Sequence, residues 1–130
     1  MIRGKKPVLA DLHFEHKVWR NEIAFYKMEI KIFQERLEEI TKKNTGNDIH
    51  EQIEQFQNRF IIQNNEMDIL VHKIKLIEHK EALKGDKIRY NIVDEKIYRE
   101  HDVLVDEMAQ FVKLYKELKE DFYSFLVKWM

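Results

Sequence analysis

The chain has no cysteine, one proline, three glycines and a single serine, Ser124. Without cysteine there are no disulfides, no thiolate zinc sites and no thiol nucleophile, and the composition suits a reducing compartment. With so little glycine and proline, a glycine-rich phosphate loop cannot be assembled and long uninterrupted helices are favoured. Charge of one sign is also missing. Lys plus Arg number 23 and Asp plus Glu 24, a net charge of -1, and no basic stripe of the kind nucleic-acid binding needs stands out. The three cations Arg3, Lys5 and Lys6 are too few to argue for DNA or anionic lipid. No apolar run reaches the roughly 18 residues of a membrane span. The basic residues near Met1 are not followed by an apolar stretch, so no signal peptide is expected and the expected location is cytoplasmic.

What is present is a folding composition. Of 130 residues 44% are hydrophobic and 36% charged, enough for one domain with a buried core and long solvated helix faces. Between Leu9 and Ile40, steps of three and four residues pick out Leu9, Leu12, His16, Trp19, Ile23, Tyr26, Ile30, Phe33, Leu37 and Ile40. That is the a/d seam of a helix packed along other helices. A second seam follows through Ile49, Ile53, Phe56, Phe60, Gln63, Met67, Leu70, Ile74 and Ile77, and a third through Ile97, His101, Leu104, Met108, Phe111, Tyr115, Leu118, Phe122, Phe125 and Trp129.

Turn chemistry separates the seams. Lys42 and Lys43 suit a helix C-terminus, Asn44-Thr45-Gly46-Asn47 supplies a reversal, and Asp48 with Glu51 reads as an N-cap and capping box. Lys84-Gly85 marks the second reversal, after which a helix starts after Asn91 or, alternatively, after Asp86. The expected fold is all-α: an arm over residues 1–8, then an elongated antiparallel up-down-up bundle of three helices, about 9–43, 48–84 and 91–130, with coiled-coil-like packing. No longer repeat and no low-complexity segment is present.

Charges flanking the seams favour a pairing. Glu15, Glu22, Glu29 and Arg36 form one edge of helix 1, and Arg59, Glu66, Lys73 and Lys80 the corresponding edge of helix 2. Folded antiparallel with these edges together, Glu15 meets Lys73 and Lys80, and Glu22 meets Lys73. Glu100 and Glu107 of helix 3 would then reach Arg20 and Lys27. Each such pair contributes only about 0–1 kcal/mol.

Two further apolar rows lie outside that edge: Val18, Phe25 and Ile32 on helix 1, and Ile62, Ile69, Leu76 and Leu83 on helix 2. In the register above, Val18 comes near Leu76, Phe25 near Ile69 and Ile32 near Ile62, all on one flank of the hairpin. Either the core faces are wide, with helix 3 covering them, or the rows form a groove for another helix, most simply from a second copy of the chain.

Five of six histidines gather toward one end: His13, His16, His72, His79 and His101. His16 and His101 interrupt their seams at matching heights on parallel helices. They read as hydrogen-bonded core residues that fix register, as metal ligands with His13, or as a proton-sensitive element. The Glu-x-x-His signature of di-iron bundles is absent. His72 and His79 are expected on the solvent face. Ser124 lies far from the histidines, Thr41 and Thr45 mark a helix end and turn, and the pairs Glu38-Glu39 and Asp106-Glu107 read as solvated faces. The aromatic run Tyr115, Phe122, Tyr123, Phe125, Trp129 caps the far end of the bundle or overhangs it as an anchor for a partner.

The function expected is that of a non-enzymatic structural or protein-interaction module. It self-associates as a homodimer or takes a protein partner through Val18, Phe25, Ile32, Ile62, Ile69 and Leu76, and needs no cofactor, nucleic acid or membrane. The alternative is a bundle that binds a metal or small ligand at its His-rich end.

Overall fold

The computed structural model describes residues 9–84 and 95–130. They form three helices and, among the described residues, no strand: α1 (Leu9–Lys43), α2 (Asn47–Lys84) and α3 (Glu95–Trp129). α2 packs against both α1 and α3 in an up-down-up bundle, while the backbones of α1 and α3 approach each other least. Large side chains span that wider side. Tyr26 of α1 stacks on Tyr115 of α3 at 4.1 Å between ring centroids, and Phe33 meets Phe122 at 5.1 Å. The expected arm, and the expected start of helix 3 after Asn91 or Asp86, fall outside the described residues.

The turn between α1 and α2 differs from expectation by one residue. The His50 amide donates to the Gly46 carbonyl, so the helical ladder starts early enough to include Asn47. Asp48 is therefore inside the first turn, where its carboxylate meets the positive end of the helix dipole, and it is not the cap. At the end of α1 the backbone and side-chain amides of Asn44 both donate to the Ile40 carbonyl, each at 3.0 Å, closing the orphan acceptor there.

The three seams supply the core, and its described polar members are few: His16, His101 and Glu81 are buried beside the apolar residues. The end nearest the α1–α2 turn is aromatic. Phe122 contacts Phe33, Phe56 and Phe60 at 5.1–5.3 Å, and Phe56 contacts Phe125 at 4.9 Å. These rings join all three helices. Phe122 and Phe125 thus cap the bundle end from within, and Trp129 packs partly buried against the same core.

Ion pairs reveal the hand of the bundle. Lys73 reaches Glu107, Lys80 reaches Glu100 and Arg59 reaches Asp121, at 2.6–2.9 Å, all from α2 to α3. Arg20 pairs with Glu78 and Lys27 with Asp68, from α1 to α2. Lys119 of α3 pairs with Glu29 of α1 at 2.6 Å. The expected partners are thus exchanged: the Glu15/Glu22/Glu29 edge turns to α3, and the Arg20/Lys27 edge turns to α2. An antiparallel hairpin can receive a third helix on either face, and either choice buries the same seams. Charge complementarity of about 0–1 kcal/mol per surface pair is met in both, so it does not discriminate.

Phe122→Ala should lower stability by about 3–5 kcal/mol, the range for removing a large ring from a packed core. Val127→Glu, at a side chain 85% exposed, should change it by less than about 0.5 kcal/mol. Urea unfolding followed by circular dichroism measures both.

Candidate functional site

Two features of this bundle exceed what a core requires: apolar residues facing outward, and ionisable residues facing inward. Val18, Phe25 and Ile32 stand three residues after Glu15, Glu22 and Glu29, on the flank of α1 that turns to α3. Ile62, Ile69, Leu76 and Leu83 stand three residues after Arg59, Glu66, Lys73 and Lys80, on the flank of α2 that also turns to α3. The two rows therefore lie on either side of α3 and do not form the single flank expected from sequence. Consistent with this, Ile62 borders an α2–α3 groove with Glu107 and Leu114, whereas Trp19 and Glu22 border an α1–α3 groove with Val105 and Val112.

Both rows are exposed and are not wide core faces. The α1 row is also longer than its three residues at seven-residue steps. Phe14 precedes Val18 by four residues, and Met28 stands three after Phe25 and four before Ile32. The five side chains, 44–71% exposed, make a second apolar stripe on a helix whose first stripe is buried. The same periodicity that reveals the seam finds Phe14 and Met28 when it is applied to the outer face.

At the opposite end from the aromatic cluster lies the inward-facing set. His16 Nε2 and His101 Nδ1 are 2.9 Å apart, and His101 Nε2 is 3.1 Å from Glu15 Oε1. The Glu15 carboxylate accepts, so His101 Nε2 carries the proton. His101 Nδ1 must then accept, so the proton between the rings is on His16 Nε2. That leaves His16 Nδ1 as a buried acceptor with no hydrogen-bond partner among the described residues. Trp19 stacks on His101 at 5.1 Å and closes the pair from the α1–α3 side. Burial, followed by the positive charges of His101, Arg20 and His13, holds the His16 pKa down to about 3. Burial also lowers that of His101, against an opposing pull from Glu15.

Glu81 of α2 is 3% exposed, and neither carboxylate oxygen has a hydrogen-bond partner among the described residues. His13 Nε2 approaches Oε2 to 3.7 Å, too far for a hydrogen bond and close enough for charge attraction. Burial, with the negative charge of Glu78 second, pushes the Glu81 pKa up to about 7.

His13 is half exposed and pairs with Glu78 and Glu81, so it does not join the two buried rings as a third ligand. The facing nitrogens of His16 and His101 are engaged with each other. Among the described residues, no group of three or more His, Cys, Asp or Glu is placed to hold a metal ion. His72 and His79 are exposed, Ser124 is exposed, and Thr41 Oγ1 donates to the Leu37 carbonyl. No helix among the described residues is long and apolar enough to cross a membrane.

Sequence reasoning places His16 beside His101 but misses Glu81, which continues the α2 seam four residues beyond Ile77 and is disguised there by its charge. Because its folded pKa is raised, Glu81 favours the folded state fully below its unfolded value near 4.5. It loses that contribution as pH rises to about 7. Glu81→Gln should therefore stabilise the protein at pH 8 by about 1–3 kcal/mol, because the amide carries no charge to bury, and leave it nearly unchanged at pH 4.5. Urea midpoints at the two pH values check this. No family model, no curated protein and no solved structure matches the chain, so its own geometry carries the functional reading.

Proposed function

We propose that this chain is a non-enzymatic protein-interaction module that associates with further copies of itself through its outward apolar rows. The observation that carries the reading is the exposed α1 stripe of Phe14, Val18, Phe25, Met28 and Ile32. Scattered exposed apolar residues need no explanation, but a stripe at helical spacing, broken only at Asn21, is the signature of a helix that docks another helix.

The exposed row of α2 in a second copy is a fitting partner. Laid antiparallel, with Phe14 against Leu83 and Met28 against Ile69, the two rows bring Lys31 by Asp68 on one flank and set Lys17 by the neutral Ala82. On the other flank Glu15 comes by Lys80 and Glu22 by Lys73, opposite in sign, while Glu29 by Glu66 and Arg36 by Arg59 are like in sign. Two α1 stripes laid on each other fit less well. With Phe14 against Ile32, Lys17 meets Lys31 and Glu15 meets Glu29, like against like on both flanks. A contact of α1 on α2 is heterologous: each copy offers two different surfaces, and symmetry or ring closure sets how many copies assemble.

Light scattering on the purified chain should give a mass above that of one copy. Phe25→Glu should reduce it to a single copy without loss of helix, and Val103→Glu, an exposed apolar position on α3, should not. Lys31→Glu and Asp68→Lys should each weaken association, and mixing the two variants should restore it. A monomeric wild type, or Phe25→Glu with unchanged mass, ends the proposal.

A further inference from the structure

The buried ionisable cluster calls for a role apart from association, because apolar residues at these positions would hold the helices together at least as well. A hydrogen bond between two imidazoles accommodates one proton between them. In the neutral pair that proton belongs to His16, and every other polar contact follows from it: His101 accepts at Nδ1 and donates at Nε2 to Glu15. Adding a proton to His101 puts an N–H at Nδ1, facing the N–H of His16. The His16 ring must then lose its Nε2 proton and take one at Nδ1, where no described residue accepts it. Adding protons to both rings sets two cations in direct contact, away from solvent. One added proton, held at His16 Nδ1, leaves both hydrogen bonds in place but buries a charge on an N–H that no described residue accepts, and a second added proton breaks the bond between the rings.

We propose that the His16–His101 pair is an acid-operated latch, whose protonation separates the first turns of α3 from α1 and uncovers Leu12, Trp19 and Ile97. The two rings are buried at the place where α1 and α3, whose backbones are the least closely packed, are joined by Trp19 stacked on His101. The charged groups around the pair act in different directions. From α1, Glu15 favours a charge on His101, while Arg20 and His13 oppose one on His16. From α3, Asp102 favours a charge on His101. From α2, Glu78 is engaged by Arg20, and Glu81 sits beside His13.

The sign follows from the lowered pKa values. In the unfolded chain both histidines take up protons near 6.5, and in the folded chain they resist until lower pH. Stability from the neutral pair is complete above about 6.5 and falls as the pH drops below it. Glu81 runs the other way and gains stability as the pH falls from about 7 toward 4.5, so it offsets part of the opening in mild acid.

The test uses Trp129→Phe, which leaves Trp19 as the sole tryptophan. Acrylamide quenching of Trp19 should be low at pH 7.5 and at least about two-fold higher at pH 5, with helical circular dichroism largely retained. Adding Glu81→Gln should leave that rise in place, because the rise belongs to the imidazoles. Adding His16→Gln with His101→Gln should abolish it. Nitrogen-15 spectra of the imidazoles in the unsubstituted protein need no variant. At pH 7 they should show both rings neutral, with the His16 proton on Nε2. Two results overturn the latch: imidazoles that titrate near 6.5 with no change in Trp19, or the same rise in quenching when both histidines are glutamine.

Discussion

Helices of 35 to 38 residues with this much charge on their surfaces are held in place by one constraint: each must bury a single a/d seam against the other two. Everything else in the structure is secondary to that burial. The ion pairs along the edges choose among arrangements that already bury the seams, and the turn at Asn44–Gly46 only returns the chain. Where a seam residue is a large ring, three helices meet tightly, as they do around Phe122. Where the seam turns polar, as at His16, His101 and Glu81, burial persists and the apolar stabilisation gives way to contacts that depend on protonation.

The seams are legible in the sequence because periodicity is a direct consequence of burial in a helix. The α1–α2 turn is legible to within a residue, since Gly46 and the asparagines around it have few other uses. The hand of the bundle is not. Its alternatives differ in which edge of α1 faces α2, and the sequence offers Glu on one edge and Arg or Lys on the other, with complementary partners available in both cases. As a result Val18, Phe25 and Ile32 stand outside the seam in sequence and outside the core in the structure, while their relation to Ile62, Ile69 and Leu76 depends on a topology that no seam encodes. Glu81 escapes for a different reason. A carboxylate in the heptad of a charged helix reads as solvated, and only the fold, which brings His13 of α1 beside it, makes it buried.

The two ends of the bundle are built on different chemistry. Rings at the turn end are indifferent to pH and gain from area alone, about 1.5–3 kcal/mol for each large side chain fully buried. The histidine end contains ionisable groups that the fold favours in their neutral forms, and these respond to pH in opposite directions: falling pH charges the imidazoles, and rising pH charges Glu81. If that end opens by itself in acid, as the latch proposal holds, it does so in the manner of a local cooperative unit.

The outward rows and the buried histidines are linked through α3. That helix lies between the α1 row and the α2 row, and its first turns are the ones pinned by His101 to His16. A second copy docked on α1 would contact side chains at Phe14 and Val18, within one turn of His16 and Trp19. Any shift of α3 away from α1 therefore changes the floor beside that stripe, exposing Trp19 and Leu12 next to it. Docking and protonation as proposed would act on the same stretch of α1 from its two faces, so a partner that binds only the closed form would raise the acidity needed to open it, and acid would in turn weaken that partner's hold by the same factor.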